Sequence, residues 1–157
     1  MIEQITNFFT IKMIYLWLNT AVLPFWISLI FFPSSSICKY LVKSIFPFFL
    51  LSLIYIYLIY FYFLADYNFL NNFNLYLGLA DLKSLFSDDG FLIMFWSHFL
   101  AINLFCGTWI ATDAQKFGIN KILVFFPLIV TYFIGPIGIF VYWMIRIFYA
   151  KRLSLYE

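Results

Sequence analysis

Long runs of apolar residues without charge are the feature that most limits the folds open to this chain. The stretch 44–64 contains no Asp, Glu, Lys, Arg or His and consists mostly of Ile, Leu, Phe and Tyr. About 20 helical residues cross a hydrocarbon core of roughly 30 Å. Hydrophobic residues make up 66% of the sequence and charged residues only 10%, so polar side chains cannot cover a surface that faces water. The chain is therefore predicted to be an integral membrane protein.

Four such runs predict an all-α protein, a four-transmembrane-helix bundle that forms a single domain over residues 1–157. We expect the four spans at 13–32, 44–64, 91–111 and 122–145. Apolar residues recur at helical spacing in 75–86, which predicts a short interfacial helix between the second and third spans. The sequence Gly135-Pro-Ile-Gly138 lies within the fourth run, and we expect it to bend or break that helix in the middle of the membrane.

The distribution of Lys and Arg does not show which side of the membrane the two termini of a four-span protein would face. Four spans put both termini on one side, together with Lys12, Lys83, Arg146, Lys151 and Arg152. The opposite side then holds Lys39, Lys43, Lys116 and Lys121. The positive-inside rule compares Lys and Arg on the two sides, and these near-equal numbers leave the orientation open. We expect a multi-pass protein of a cell inner membrane or a plastid-type membrane.

The third run is unusually polar for a membrane helix. It carries the single histidine of the chain, His98, with Asn103, and Asp113 follows at its predicted end. Polar groups in hydrocarbon are costly, and they usually face a protein interior, pair with one another or serve a site. Since an imidazole can donate or accept a proton near neutral pH, His98 is the candidate catalytic residue. Asp113 lies beside Lys116 and is expected to be a surface acid at a turn.

Depth along the predicted helices suggests a pocket. The first and third spans run in the same direction, so Asn19 and His98 lie at similar depth, and Asn103 lies near the predicted break. We expect His98 to be catalytic and the substrate-binding residues to be Asn19, Asn103, Gly135, Pro136 and Arg146, with Arg146 at the mouth. The alternative is structural, because hydrogen bonds across membrane helices of about 0.6 kcal/mol would also account for such amides.

Other classes of site and partner are disfavoured by composition. The chain has one His, two Cys and no Glu between Glu3 and Glu157, so the Glu and Glu-x-x-His pattern of di-iron helices is absent. We therefore expect no metal and no cofactor. The net charge of +2 is small and dispersed, which excludes nucleic acid as a partner. Membrane lipid is the expected partner. Four short helices enclose little volume, so a homo-oligomer is also an expectation.

Several motifs together resemble those of a known family. They are Leu18–Trp26, Trp96-Ser-His98, Asn103–Trp109, Asp113 and Phe133–Gly138. In this combination and order they resemble the abscisic-acid-deficient-four-like family, and the resemblance covers all four predicted spans. Plant members of that family are associated with making neoxanthin, and its bacterial members are largely of unknown function. The chain departs from the family pattern at Asn103, where the family has Asp, and at Thr108, where bacterial members often have Arg.

The resemblance implies a role in carotenoid or isoprenoid metabolism, as an isomerase that converts an epoxy-carotenoid to an allenic alcohol. That reaction needs a proton donor at the epoxide oxygen and a base at the neighbouring carbon, and its stoichiometry requires no redox cofactor. The alternative is a non-catalytic membrane protein that binds a pigment or lipid or scaffolds a biosynthetic enzyme. Asn103 favours this alternative, since an amide cannot act as a carboxylate base. A third hypothesis is a small transporter or channel subunit, against which the lack of paired intramembrane charges weighs.

Overall fold

The computed structural model of the protein describes residues 10–60 and 76–151, and over these ranges it is all-helical, as predicted. The six α-helices are α1 (Ile11–Phe31), α2 (Phe46–Ile59), α3 (Leu79–Phe86), α4 (Asp89–Lys116), α5 (Lys121–Phe133) and α6 (Gly135–Ala150). A π-helical turn, Cys38–Val42, precedes α2. The last residues of the predicted second span, 61–64, and the first residue of the predicted interfacial helix, Leu75, lie outside the described ranges.

Within residues 10–60 and 76–151, three helical stretches are long and apolar enough to cross a membrane. They are Ile11–Phe31, Cys38–Ile59 and Asp89–Lys116, which contain 21, 22 and 28 residues. Each corresponds to one of the first three predicted spans. Length and composition therefore support a membrane protein with three candidate spans, while the predicted count of four is not confirmed.

Helix α4 extends beyond the predicted third span at both ends because both ends are capped. The carboxylate of Asp88 accepts a hydrogen bond of 2.8 Å from the backbone N–H of Phe91, which caps the N-terminus. At the other end Gly118 has a φ of +63°, and the N–H of Ile119 donates to the carbonyl of Ala114 at 2.9 Å. This glycine-based cap ends the helix after Lys116. Asp113 consequently lies within the last turns of α4 and not in a loop.

The predicted fourth span is two short helices that form a hairpin. A continuous helix would place Arg146 about 43 Å from Phe117, at about 1.5 Å per residue. Instead, the guanidinium carbon of Arg146 lies 4.9 Å from the centre of the Phe117 ring. The chain therefore reverses between α5 and α6. These helices contain 13 and 16 residues, or roughly 20 and 24 Å, so each is shorter than a hydrocarbon core of about 30 Å.

The glycines and proline at the reversal explain why the hairpin closes there. Ile134, between the two helices, has φ −141° and ψ 77°, and Pro136 occupies the first turn of α6, where its missing N–H is tolerated. A Cβ atom at Gly138 would collide with the backbone nitrogen and Cα of Thr131, so only glycine lets the two helices approach this closely. The sequence predicts a bend or a break here, and the structure shows a break at which the chain reverses.

The chain divides into two compact units. Of the described residues, the first unit takes 10–21, 48–60 and 76–100, and the second takes 22–47 and 101–151. In the second unit, α6 runs along α4 in the same direction: Gly135 lies against Asn103, and Arg146 contacts Asp113. Trp26 packs on Gly107, where a Cβ would lie 2.6 Å from the indole Cη2. Gly107 thus permits close packing of α4, as small residues do in membrane helices.

The hairpin predicts a membrane topology that differs from that of four spans. Single cysteines are introduced at Lys83, Lys121 or Lys151 in a chain that carries Cys38→Ser and Cys106→Ser. Because α6 returns to the level of Phe117, the cysteines at 121 and 151 should react with an impermeant maleimide from one side of sealed vesicles, and the cysteine at 83 from the other. Labelling of positions 83 and 151 from the same side would contradict the hairpin and restore the fourth span.

Candidate functional site

A groove of about 520 Å³ lies in the first unit. It is lined by Ile11, Lys12 and Tyr15 from α1 and by Asp89, Leu92, Ile93 and Trp96 from α4. Within each helix these residues recur at spacings of three and four, which places them on one face. The volume lies within the range of small-molecule sites, about 300–1,000 Å³.

The groove combines aromatic and aliphatic walls with two charged side chains. The rings of Tyr15 and Trp96 lie 5.9 Å apart between centres, at an angle of 40°. The side chains of Lys12 and Asp89 are exposed, and Asp89 belongs to the first turn of α4, where the helix dipole favours a negative charge. The walls therefore suit an apolar ligand, and the two charged side chains can hydrogen-bond to an oxygen atom of that ligand.

Asn19 positions an aromatic wall of this groove. Its side-chain oxygen accepts a hydrogen bond of 3.3 Å from Nε1 of Trp96, and its amide nitrogen donates to the backbone carbonyl of Tyr15 at 2.7 Å. Asn19 itself is not among the lining residues. The structure thus joins Asn19 to α4 through Trp96, whereas the sequence suggested a contact with His98.

His98 lies on another face of α4. It follows Trp96 by two residues, or about 200° around a helix, and it does not line the groove. Its side chain is exposed, and its ring centre lies 6.2 Å from that of Tyr55. Within the first unit, the structure therefore places the predicted catalytic residue beside a tyrosine and outside the groove. The catalytic role of His98 stays a prediction.

Asn103 and Gly135 do meet, as the sequence predicted. In the second unit Asn103 is 4% exposed, and a Cβ at Gly135 would collide with its side-chain oxygen Oδ1. The Nδ2 of Asn103 and the Nε1 of Trp26 are buried and have no hydrogen-bond partner within the described part of the chain. A buried donor without an acceptor costs about 1–3 kcal/mol, so this amide suits an oxygen acceptor. Pro136 is exposed. The binding roles predicted for these residues are not tested by this geometry.

A buried ion pair joins the end of α4 to the end of α6. Nε of Arg146 donates to Oδ2 of Asp113 at 2.7 Å, and the hydroxyl of Tyr142 donates to the same oxygen at 2.6 Å. Arg146 and Asp113 are only 3% and 8% exposed. The aromatic rings of Trp109 and Tyr142 pack edge to face 5.5 Å apart beside this cluster. An Arg–carboxylate pair with a further donor compensates for burial that neither charge could tolerate alone.

This cluster corrects two expectations. Asp113 is not a surface acid, because α4 continues to Lys116 and α6 covers that side chain. Arg146 was expected at the mouth of a pocket, and the structure instead buries it against Asp113 beside Phe117. Asp113 and Arg146 form a charge pair that the sequence did not reveal.

Sequence reasoning missed most of the groove. Lys12 and Asp89 stand at the starts of two helices that run in the same direction. Their similar depth at the starts of the predicted first and third spans is therefore the sequence signal that pairs them. Tyr142 gave no separate signal, because the reversal that brings it to Asp113 was predicted only as a bend or a break. Among the residues that the structure describes, no three His, Cys, Asp or Glu side chains are grouped to hold a metal ion.

Removing the carboxylate of Asp113 should strongly destabilise the protein. In Asp113→Asn, the guanidinium of Arg146 remains buried without its counter-charge, and the free energy of unfolding should fall by about 3–5 kcal/mol. Thermal unfolding of the purified chain in detergent measures this, with Asp81→Asn on exposed α3 as the control. The double variant Asp113→Asn/Arg146→Met should recover part of the loss. Equal stability of Asp113→Asn and Asp81→Asn would show that the pair contributes little.

Comparison with known proteins adds a family. The family model described as ABA DEFICIENT 4-like matches residues 13–142. The match includes Tyr15, Asp89 and Trp96 of the groove and ends at Tyr142, four residues before Arg146. No curated protein and no solved structure shows a significant match to this chain.

Proposed function

The chain belongs to the ABA DEFICIENT 4-like family of membrane proteins associated with neoxanthin synthesis, and on that premise we propose that it binds an oxygenated isoprenoid of the carotenoid class. The observation that carries the proposal is the groove of the first unit, with its aromatic walls and its two charges. A ligand of this class is supplied by the bilayer itself. The membrane is that of a bacterial cell or a plastid.

The two charged side chains match the oxygen chemistry of such a ligand. A lysine ammonium only donates hydrogen bonds, and an aspartate carboxylate only accepts them. A ring hydroxyl can therefore donate to Asp89, while a hydroxyl or epoxide oxygen can accept from Lys12. Tyr15, Leu92, Ile93 and Trp96 offer apolar surface to the hydrocarbon part of the ring. Charge at the rim and apolar walls below it give such a ligand one orientation.

A bulky residue in the groove should abolish binding. Leu92 lines the groove and is 45% exposed, so Leu92→Trp fills space without disturbing a core. The matched control is Ile102→Trp, because Ile102 is 48% exposed on the same helix and lies outside the groove. The full chain is purified from cells that make a defined oxygenated carotenoid, and pigment per protein is measured by absorbance.

We expect Leu92→Trp to lower bound pigment at least about tenfold, which corresponds to roughly 1.4 kcal/mol of binding free energy, and Ile102→Trp to leave it unchanged. Pigment retained by Leu92→Trp would exclude the groove as the site. Absence of pigment from the unaltered chain across several oxygenated carotenoids would overturn binding altogether.

A second function that we propose is isomerisation of the bound ligand, because a carboxylate and an ammonium face the same groove. Conversion of an epoxide to an allenic alcohol needs one proton removed from carbon and one delivered to oxygen. Asp89 would accept the proton from the carbon next to the epoxide, and Lys12 would donate a proton to the oxygen as its C–O bond breaks. Substrate and product have the same composition, so the step needs no oxidant or reductant.

Substitutions separate this chemistry from the role predicted for His98. If the groove is the reaction site, Asp89→Asn and Lys12→Met still bind the epoxy-carotenoid but no longer form the allenic product. His98→Ala and the surface control Asp81→Asn still form the allenic product. Pigment extracts of cells expressing each variant are compared by chromatography. Loss of product only in His98→Ala would move the reaction to the face of α4 beside Tyr55. Absence of a rearranged pigment with every chain would leave binding as the function.

A further inference from the structure

The hairpin collects most of the basic residues at one end of the spanning helices. Lys39 and Lys43 follow the C-terminal end of α1, Lys116 and Lys121 flank the turn between α4 and α5, and Lys151 follows α6. Because α6 returns beside Phe117, Lys151 joins the other four, whereas a fourth span would have separated it from them. We call these five lysines the basic end. All five belong to the second unit.

The opposite ends of the same helices carry the reverse charge. Helices α1 and α4 begin near Lys12, Asp88 and Asp89, and α3 carries Asp81 and Lys83. The described residues therefore place two lysines and three aspartates at that end. The acid described near the basic end is Asp113, which is buried in an ion pair with Arg146. The ends of a spanning helix lie on opposite faces of a bilayer, so the charge asymmetry is an asymmetry across the membrane.

We propose that the basic end is a docking surface for the anionic headgroups of membrane lipids, and that it faces the side of the membrane favoured by the positive-inside rule, the cytoplasm in a bacterial cell. Lys and Arg near helix ends are retained on that side, where the leaflet carries anionic lipid. This orientation puts the acidic starts of α1 and α4 on the other side. The inference does not depend on the function proposed for the groove.

Side-chain contacts hold the basic end as one surface. Nε2 of Gln115 donates to the backbone carbonyl of Pro33 at 2.7 Å and to the hydroxyl of Ser34 at 3.3 Å. Nζ of Lys43 donates to Oε1 of the same glutamine at 2.9 Å. The connection after α1 is thereby joined to the last turn of α4. The lysines that flank these two segments lie on a single preformed patch.

Two lysines of the basic end lie beside aromatic rings. Nζ of Lys39 lies 5.6 Å from the ring centre of Tyr40, and Nζ of Lys116 lies 5.6 Å from that of Phe117. Tyrosine side chains such as Tyr40 favour the interface between hydrocarbon and water, and lysine extends its charge from there toward the headgroups. An ammonium at that depth meets lipid phosphates before any soluble partner. The chemistry therefore favours an anionic lipid over a nucleic acid or an acidic protein.

The test compares lipid selectivity of the full chain and its charge variants. The protein is reconstituted in nanodiscs of phosphatidylcholine with about one-fifth phosphatidylglycerol, a composition in which the anionic lipid supplies the negative surface charge. Lipids retained after release from the nanodisc are counted by native mass spectrometry. The variant Lys39→Gln/Lys121→Gln removes two charges from the basic end and leaves the Lys43–Gln115 bond intact. The control Lys83→Gln removes a charge from the other end and leaves the groove intact.

We expect the unaltered chain and the control to retain phosphatidylglycerol severalfold above its share of the bilayer, and Lys39→Gln/Lys121→Gln to retain it in proportion to its share. The conservative variant Lys39→Arg/Lys121→Arg should keep the selectivity, which separates loss of charge from loss of fold. Raised salt should lower the selectivity, because exposed charges are screened within about 10 Å at 0.1 M. Equal retention by the two glutamine variants would overturn the proposal, as would equal retention of the two lipids by the unaltered chain.

Orientation gives an independent measurement. In the Cys38→Ser/Cys106→Ser background, a cysteine at position 121 should react with an impermeant maleimide in vesicles that expose the cytoplasmic face and not in vesicles of opposite sidedness. A cysteine at position 83 should show the reverse pattern. The opposite result would place the basic end on the wrong side for an anionic leaflet and would exclude the proposed orientation.

Discussion

The bond from Arg146 to Asp113 connects residues 33 apart in sequence, and the arrangement of the second unit depends on it. Each partner is buried among apolar side chains, where a lone charge would be strongly destabilising. The pair can form only if the chain reverses between α5 and α6, so it selects the hairpin over a straight fourth span. Tyr142 donates to the same carboxylate oxygen, which fixes α6 against α4 along a further turn. The ion pair is therefore compatible with the hairpin and incompatible with a straight fourth span.

The reversal also depends on the absence of side chains at two positions. Gly138 lets α6 approach the backbone of Thr131, and Gly135 leaves room for the amide of Asn103. The buried Gly135 lies against Asn103, so Asn103 lies where the hairpin tip contacts α4. A neutral amide can be buried there without a counter-charge, whereas a carboxylate would need one.

The two units present different chemistry to a ligand. The first unit has an open groove in which Lys12 and Asp89 face apolar walls, and the second has a closed interior with the buried amide of Asn103. Asn19 accepts a hydrogen bond from Trp96 of the groove, and its predicted contact with a substrate stays a prediction. The exposed imidazole of His98 belongs to neither arrangement. The composition suggested His98 as the proton-transfer residue. The groove instead contains Lys12 as a proton donor and Asp89 as a proton acceptor, at the starts of two helices.

Composition and the length of the apolar runs were sufficient to determine an all-helical membrane protein and the positions of three spans, because the cost of exposing backbone in hydrocarbon leaves no other solution for runs of that length. The motifs were sufficient to indicate the family, and the Gly-Pro-x-Gly sequence located the interruption of the last helix. The angle at that interruption could not be read from the sequence, since the same residues permit a bend or a reversal. Only the tertiary structure decided between them, through the burial of Arg146 against Asp113. The charge asymmetry of the chain follows from the reversal, because the reversal brings Lys151 to the basic end. Local sequence specifies where a helix is interrupted, and long-range contacts specify the direction in which the chain continues.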